Sequence, residues 1–397
     1  MMISNMHPQG PGRLMSWIHS QVRTLSAWSA VMLTLTWIAS AGLHAQTSYQ
    51  VIHHFSASTD GSRPNGLTRD AAGNFYGTTS DGGPSGLGTV FKLDAATHAV
   101  TVLHNFTDTP DGANPMASVT LDPAGNLYGT TRYGGSDGLG AVFKIDSSGV
   151  ETIVHSFIDW DGLWPSASLV RDPAGNLYGT TSNGGSHTGG VIFKIGPAGV
   201  ERTVYQFEDQ SASPNGLARG AAGSLYGTTV RGGHDDVGTV FRLRPGPVYI
   251  LVHSFTGGSD GGSPQAESLL DDTGNLYSTT TYGGDFGAGT VFKVDSTGVF
   301  SVLHSFSGPD GFNPLAGLVM DASGNLYGTA FAGGDSNQGV VFKLDPSGNE
   351  AVLHSFAGGA DGAHPMATLV LSPDGTLFGS TSQGGFHGDG TIFRLKP

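Results

Sequence analysis

Three short strings of alternating apolar and polar residues recur along most of the chain. The first is of the Val-Leu-His-Ser-Phe type, the second is Leu-Tyr-Gly-Thr-Thr, and the third is Gly-Thr-Val-Phe-Lys-Leu. Each string occurs seven times, at spacings of 48 to 52 residues. A fourth apolar stretch, such as Thr368-Leu369-Val370-Leu371, completes each unit. Period-two alternation without helical periodicity predicts four strands per unit.

The turns between the strings indicate an antiparallel arrangement. Segments such as Asp122-Pro123-Ala124-Gly125 place proline where a φ of about −65° suits a turn and glycine where a positive φ is needed. A single unit cannot bury both of its faces, whereas units stacked around an axis can. The sequence therefore predicts an all-β protein, a seven-bladed β-propeller of four-stranded antiparallel blades. A linear β-solenoid is the alternative, although its coils are usually shorter than about fifty residues.

The order of the strings also predicts how the ring closes. The repeats open with the first string at residues 51–55 and end with the third string at residues 390–395. If the His-bearing strand is the outermost of each blade, the N-terminal strand pairs in the last blade and closes the ring. Short inner strands with small residues, such as Ala117-Ser118 and Ala316-Gly317, are then expected near the crowded axis.

Composition agrees with this architecture and narrows the choice of partners. The 397 residues include 64 glycines and no cysteine, and only 13% are charged. The absence of cysteine excludes a disulfide framework, a thiolate zinc site and a Cys nucleophile. The formal net charge of −14 argues against nucleic acid as a partner, because phosphate binding needs a basic surface.

The first 45 residues differ from the repeats that follow. Arg13 and Arg23 precede an apolar run over residues 25–41, and no acidic residue occurs before Asp60. This pattern predicts a signal peptide over residues 1–45, cleaved after Ala41 or after Ala45, and a propeller domain over residues 46–397. Retention of the apolar run as an uncleaved anchor is the alternative. After cleavage, no association with a membrane is expected.

The repeated strings together resemble the GloVer tandem-repeat family, also called choice-of-anchor tandem-repeat proteins, over residues 49–397. The resemblance implies an exported bacterial protein whose anchoring segment varies between members, and it implies no activity. This sequence departs from the pattern because it ends at Lys396-Pro397, directly after a repeat strand, so a free secreted or periplasmic protein is expected. The second string followed by Val-Ile-Phe-Lys-Ile (residues 191–195) is also similar to the kelch blade.

The recurring histidines are the first candidates for chemistry. They are His53, His104, His155, His253, His304 and His354, and Tyr205 replaces the histidine in the fourth unit. One outer-strand residue per blade would be spread around a wide perimeter, whereas metal ligands must converge. We therefore expect structural, hydrogen-bonded histidines between blades, with neither a metal nor a cofactor.

Asp-Gly pairs recur after the first string, as in Asp111-Gly112, and are missing from the fourth unit. Each loop offers few oxygen ligands for Ca²⁺, so turn formation by the Asp side chain is the favoured interpretation.

Residues that break the repeat are the better candidates for a ligand site. The longer loops are expected together on one face, where aromatic, cationic and acidic side chains could stack on sugar rings and bind hydroxyls. These candidates are Arg132, Tyr133, Trp160, Trp164, Arg231, Asp235, Tyr282, Asp285 and Phe331.

The sequence favours an exported, monomeric, non-catalytic binding or scaffold propeller that recognises a polysaccharide or a protein. One alternative is a polysaccharide-acting enzyme that uses loop carboxylates such as Asp235, Asp285 and Asp335. The other is a purely structural repeat protein.

Overall fold

The computed structural model describes residues 47–208 and 212–397, and these residues form seven four-stranded antiparallel sheets. The expected signal peptide lies outside the described residues. The predicted all-β, seven-bladed propeller is confirmed, and regular helix is limited to two 3₁₀ turns, Ala221–Gly223 and Gly359–Asp361, in the described part of the chain. No helix within residues 47–208 and 212–397 is long and apolar enough to cross a membrane.

Each blade contains four strands. In blades 1 to 6 they follow chain order from the axis to the rim, whereas blade 7 takes its outermost strand from the start of the repeats. Blade 1 contains β2 (Ser62–Arg69), β3 (Phe75–Asp81), β4 (Thr89–Leu93) and β5 (Val100–Asn105). Blade 2 contains β6 (Thr120–Leu121), β7 (Leu127–Thr131), β8 (Ala141–Ile145) and β9 (Glu151–Ser156). Blade 3 contains β10 (Val170–Arg171), β11 (Leu177–Thr181), β12 (Val191–Ile195) and β13 (Glu201–Gln206). Blade 4 contains β14 (Pro214–Arg219), β15 (Leu225–Thr229), β16 (Thr239–Arg244) and β17 (Val248–Ser254).

The remaining strands complete the ring. Blade 5 contains β18 (Leu269–Leu270), β19 (Leu276–Thr280), β20 (Thr290–Val294) and β21 (Phe300–Ser305). Blade 6 contains β22 (Val319–Met320), β23 (Leu326–Ala330), β24 (Val340–Leu344) and β25 (Glu350–Ser355). Blade 7 contains β26 (Val370–Leu371), β27 (Leu377–Thr381), β28 (Thr391–Lys396) and, as its outer strand, β1 (Ser48–His54). The predicted closure is confirmed, since β1 pairs with β28 from Ser48 opposite Lys396 to His54 opposite Thr391.

The hydrophobic core lies between blades. Seven clusters occur, and each joins the outer part of one blade to the middle strands of the next. The same pair of phenylalanines recurs in all of them: Phe106, after β5, meets Phe143 of β8 edge to face, with ring centroids 5.2 Å apart. Because every blade depends on its neighbour for burial, an isolated blade could not be stable.

The glycine of the second string makes room for this phenylalanine. A Cβ on Gly129 would lie 2.4 Å from Cζ of Phe143, which is too close for any real side chain. Blade 5 is different, because Ser278 occupies this position and Ser268 replaces the Leu or Val of the inner segment. Both serine hydroxyls are buried and have no hydrogen-bond partner among the described residues.

Threonines of the second string tie successive blades together. Thr78 Oγ1 donates a hydrogen bond to the carbonyl of Ala117 in the next blade (2.8 Å), and Thr180 Oγ1 donates to the carbonyl of Asn215 (3.1 Å). These bonds satisfy polar groups that would otherwise be buried alone beside the axis.

A β-bulge interrupts the alternation that the sequence suggested for the outer strands. In blade 1, His104 lies opposite Val90 and Val102 lies opposite Phe91, so Leu103 is the extra residue. Leu103 packs against the core between blades 1 and 2. In blade 4, Leu251 occupies the position that Val102 has in blade 1, two residues before the histidine, and it is 52% exposed. Strict alternation would point this residue the same way as the histidine, but the bulge adds one residue between them, so the two side chains lie on opposite faces of the strand.

Candidate functional site

A cavity of about 360 Å³ lies where the inner segments of the blades converge. Each inner segment enters through a proline, and small residues such as Ala117 and Ala316 follow, as expected for the crowded axis. The lining residues that carry polar side chains are Asn65, Ser118, Arg132, Ser166, Ser182, Ser213, Asn215, Gln265, Glu267 and Thr368. Met116, Leu315 and Met366 contribute apolar surface. The cavity is therefore polar, with hydroxyl and amide groups from several blades.

The inner segments differ in length by one residue, and this difference shapes the cavity. Five residues lie between the proline and the first residue of the turn in blades 1 and 4, and six lie between them in the other five blades. The shorter segments pair along longer strands, β2 and β14, whereas the corresponding strands of the other blades have two residues. Hydroxyls of the second string bond equivalent carbonyls in both kinds of segment, among them those of Ala117 and Asn215, so the additional residue of the longer segments is the one directly after the proline. The residue after these carbonyls lies beside the axis in every blade, and these residues are Gly66, Ser118, Ser168, Gly216, Glu267, Gly317 and Thr368.

Residues at this position beside the axis contact one another between blades. Ser118 Oγ lies 3.2 Å from Ser168 Oγ, and the amide of Gly317 donates to Thr368 Oγ1 (3.0 Å). Glu267 extends past blade 4, where a Cβ on Gly216 would lie 2.7 Å from its Cγ. Its Oε1 accepts a hydrogen bond from the amide of Ser168 in blade 3 (3.2 Å). These contacts link the inner segments of neighbouring blades beside the cavity.

Two opposite charges line the cavity. Among the described lining residues, Arg132 is the one cation and Glu267 the one carboxylate. The Arg132 guanidinium lies over the ring of Tyr133, 5.6 Å from its centroid. Its Nε is buried without a hydrogen-bond partner in the described part of the chain. A buried guanidinium N–H without an acceptor is energetically costly.

Trp164 has a strained backbone conformation. Its φ is 60°, which is unusual for a bulky residue, and Pro165 follows it. Its amide donates to the carbonyl of Leu139 (2.9 Å), and its own carbonyl accepts a hydrogen bond from Ser182 Oγ (2.9 Å). Ser182 lines the cavity, so the predicted residue Trp164 is connected to it.

The structure brings some of the other predicted residues together. Burial and the Asp236 carboxylate raise the pKa of Tyr282, while Arg231 opposes this effect, so these loop residues of blades 4 and 5 are neighbours. Phe331 occupies the repeat position of Arg132 and stacks on His364, with ring centroids 4.5 Å apart.

Of the nine predicted residues, Arg132 alone is among the described residues that line the cavity, and three of the other eight lie on exposed loops away from it. Trp160 is 73% exposed, Asp285 is exposed, and Asp235 forms an exposed ion pair with His234 (3.0 Å). They lie on three different loops.

The repeated histidines pair with the Asp of the Asp-Gly turns. His104 Nε2 lies 3.0 Å from Asp111 Oδ2, while Asp111 Oδ1 accepts a hydrogen bond from the amide of Thr107 (3.0 Å). Equivalent pairs join His53 to Asp60, His155 to Asp161, His253 to Asp260, His304 to Asp310 and His354 to Asp361. The fourth unit lacks both partners, because Tyr205 replaces the histidine and the Asp-Gly pair is missing. The two differences are therefore linked, since each residue of the pair serves the other.

The sequence did not predict two polar residues that line the cavity. Glu267 and Thr368 stand in segments that resemble ordinary inner strands. Aligning the units backwards from the turn places them at the position of Gly66 and Gly216, and a polar side chain in place of glycine was the available signal.

The sequence matches the Gloeobacter/Verrucomicrobia repeat family at residues 42–218 and 213–397. The chain belongs to this family. A comparison with curated proteins finds no match for this Gloeobacter/Verrucomicrobia repeat protein.

Solved structures show the same fold at low sequence identity. Virginiamycin B lyase from Staphylococcus aureus is similar over 88% of this chain and 99% of its own, with a TM-score of 0.64 and 14% identity. The extracellular domain of a hybrid two-component system from B. thetaiotaomicron is similar over 88% of this chain and 41% of its own, with a TM-score of 0.58 and 11% identity. These similarities support the propeller fold alone.

Proposed function

We propose that this repeat protein is a non-catalytic binding propeller that holds a saccharide in its axial cavity. The observation that carries the proposal is the cavity, which is lined by hydroxyls and amides from several blades. Its volume of about 360 Å³ falls at the lower end of the range for small-molecule sites, which suits a mono- or disaccharide.

The chemistry of the lining matches a sugar better than an apolar ligand. Asn65, Asn215 and Gln265 offer amide groups, while Ser166 and Ser182 offer hydroxyls that can donate or accept. Met116 and Met366 provide apolar surface for the C–H faces of a ring. Arg132, with its unpartnered Nε, adds a donor for an acidic or hydroxyl oxygen.

The distribution of carboxylates favours binding over hydrolysis. Glycoside hydrolysis usually uses two carboxyl groups on opposite sides of the scissile bond. Asp235, Asp285 and Asp335 are exposed on loops, and none of them is among the described lining residues. Among the described lining residues Glu267 therefore has no acidic partner, and its Oε1 accepts a hydrogen bond from the amide of Ser168.

Export of the protein belongs to the same proposal and rests on the arginines and apolar run of residues 1–45. Fractionation of producing cells, with N-terminal sequencing of the recovered chain, tests it. A cytoplasmic protein that retains residues 1–45 would contradict export.

Calorimetric titration with a panel of neutral and acidic mono- and disaccharides tests the binding proposal. We expect binding to weaken by about tenfold or more in Arg132→Gln, because a charge-assisted hydrogen bond contributes about 1.5–3 kcal/mol. Ser182→Leu should abolish binding by filling the cavity. Asp137→Asn, an exposed loop variant, is the control and should bind like the wild type. Failure of every saccharide to bind at millimolar concentration, or unchanged binding in both cavity variants, would contradict the proposal.

A further inference from the structure

A His, an Asp and a Glu converge at the rim between blades 2 and 3, and again between blades 5 and 6. His155 Nε2 lies 3.0 Å from Asp161 Oδ2, and Glu201 comes from the outer strand of the following blade. In both clusters the three candidate ligand atoms lie within 4.8 Å of one another. The second cluster consists of His304, Asp310 and Glu350, with a His–Asp distance of 2.9 Å.

The glutamates in these clusters have an unsatisfied oxygen. Oε1 of Glu201 and Oε1 of Glu350 are buried and have no hydrogen-bond partner among the described residues. Two carboxylates and one imidazole placed together without a neutralising partner are costly, because the charges are partly removed from water.

The Asp side chains are already held in a suitable orientation. Asp161 Oδ1 accepts a hydrogen bond from the amide of Ile158 (2.8 Å), which leaves Oδ2 facing the histidine. Asp310 Oδ1 likewise accepts from the amide and hydroxyl of Ser307 (2.8 and 2.9 Å). Hydrogen bonds of this kind fix the orientation of carboxylate ligands in metal sites.

Other blade boundaries show that the His–Asp pair does not by itself require a glutamate. At the repeat position of Glu201 and Glu350, Phe300 stacks on His253 with ring centroids 3.8 Å apart. Tyr49 stacks on His354 in the same way, at 3.6 Å. An aromatic ring covers the pair there, whereas a buried carboxylate oxygen faces it in the two clusters. A glutamate at this position therefore places a carboxylate beside the His–Asp pair where other blade boundaries place an aromatic ring.

We propose that each of these two clusters binds one Zn²⁺ ion through the His nitrogen, one Asp oxygen and one Glu oxygen, and so links adjacent blades. Tetrahedral zinc with ligands at about 2.0–2.2 Å needs donor atoms roughly 3.4 Å apart. The His–Asp distance must lengthen by a few tenths of an ångström, and the Glu side chain must move closer. Imidazole together with two carboxylates suits zinc, whereas Ca²⁺ takes six to eight oxygen ligands. The ion would neutralise both carboxylates, and water would complete the coordination.

Equilibrium dialysis of the purified full chain against Zn²⁺, after removal of metals with a chelator, tests the proposal. We expect two zinc ions per chain by elemental analysis and a higher melting temperature in the presence of zinc. Glu201→Gln and Glu350→Gln should each remove one ion, and the double variant should bind none and lose the zinc-dependent shift. Because glutamine keeps the size of glutamate, the metal-free double variant should melt at or above the metal-free wild type.

His253→Gln serves as the matched control, since His253 belongs to a His–Asp pair that an aromatic ring covers. It should still bind two zinc ions. Binding of less than one ion per chain by the wild type would overturn the proposal. So would two ions bound by the double variant, or displacement of zinc by an equal concentration of Ca²⁺.

Discussion

Blade 5 carries two serines where the other blades carry a glycine in the second strand, facing a Leu or Val of the inner segment. Ser278 and Ser268 both bury a hydroxyl without a hydrogen-bond partner among the described residues. In blades 3 and 6 the corresponding leucine Cδ2 lies 2.8 Å from where a Cβ on the glycine would be. A leucine and a serine therefore cannot occupy these positions together, and the two serines form a compensating pair. We expect Ser268→Leu combined with Ser278→Gly to restore the packing of the other blades.

The magnitudes follow from the groups exchanged. Removing each unsatisfied buried hydroxyl gains about 1–3 kcal/mol, and burying the leucine gains about 2 kcal/mol. The glycine costs about 0.5–1 kcal/mol, and the inner segment is partly exposed, so we expect a net stabilisation of about 3 kcal/mol. Ser268→Leu alone should destabilise by about 1–3 kcal/mol through overpacking. Ser278→Gly alone should change the free energy of unfolding little, because the gain from removing a buried hydroxyl is offset by the cavity that the missing side chain leaves.

Urea-induced unfolding of the wild type, both single variants and the double variant gives the coupling energy between the two positions. We expect a coupling of at least about 2 kcal/mol, since the side chains share one space. The reasoning would be refuted if the two changes were additive, so that the Ser268→Leu single variant had the same free energy of unfolding as the double variant. Gly328→Ser in blade 6 is the reciprocal test and should destabilise unless Leu318→Ser accompanies it.

The same packing predicts that Gly129→Ala lowers the free energy of unfolding by about 1–3 kcal/mol, because its Cβ would collide with Phe143; an unchanged urea midpoint would contradict this. Burial and Asp111 raise the pKa of Glu151 to about 7, above its value in the unfolded chain. The folded state then binds more protons between about pH 4.5 and 7, so stability falls as pH rises through this range. Glu151→Gln should thus stabilise metal-free protein at pH 8, by on the order of 1 kcal/mol after solvent screening, and have no effect near pH 4. Unfolding curves at both pH values measure this, and equal effects at the two would count against it. Tyr205→His alone should not stabilise blade 3, because the fourth unit also lacks the Asp-Gly partner; a clear rise in melting temperature would show that the histidine acts without it.

The repeat made the architecture predictable, because seven copies of each string carry the same packing information. Period-two alternation, turn residues and the phase of the strings were enough to predict the blades and the closing strand. The bulge at Leu103 was not predictable in this way, since it adds a residue without changing the residue types around it. The pairing of His104 with Asp111 left one trace in the sequence, the simultaneous loss of both residues in the fourth unit.

The candidate site was less predictable for a physical reason. Glu267 accepts a hydrogen bond from Ser168 of blade 3, on the far side of blade 4. No local feature of the sequence predicts a contact between residues so far apart in the chain. Arg132 was predicted because it interrupts the repeat, and it is among the described residues that line the cavity. Trp160, Asp235 and Asp285 interrupt it equally well but lie on exposed loops, and a departure from the repeat does not distinguish these two situations.

The pairing of β1 with β28 also imposes an order of events on the growing chain. β1 is synthesised first among the strands, yet its hydrogen-bonding partner is the last strand to be made. Until then β1 and the unfinished blade 7 present unpaired edges, which are prone to join edges of other molecules. Tyr49, which stacks on His354 and donates to the carbonyl of Asp361, can anchor β1 as soon as blade 6 has formed. The outer strand of blade 7 thus has a docking place on its neighbour before its own sheet exists, and this shortens the interval in which the ring is open.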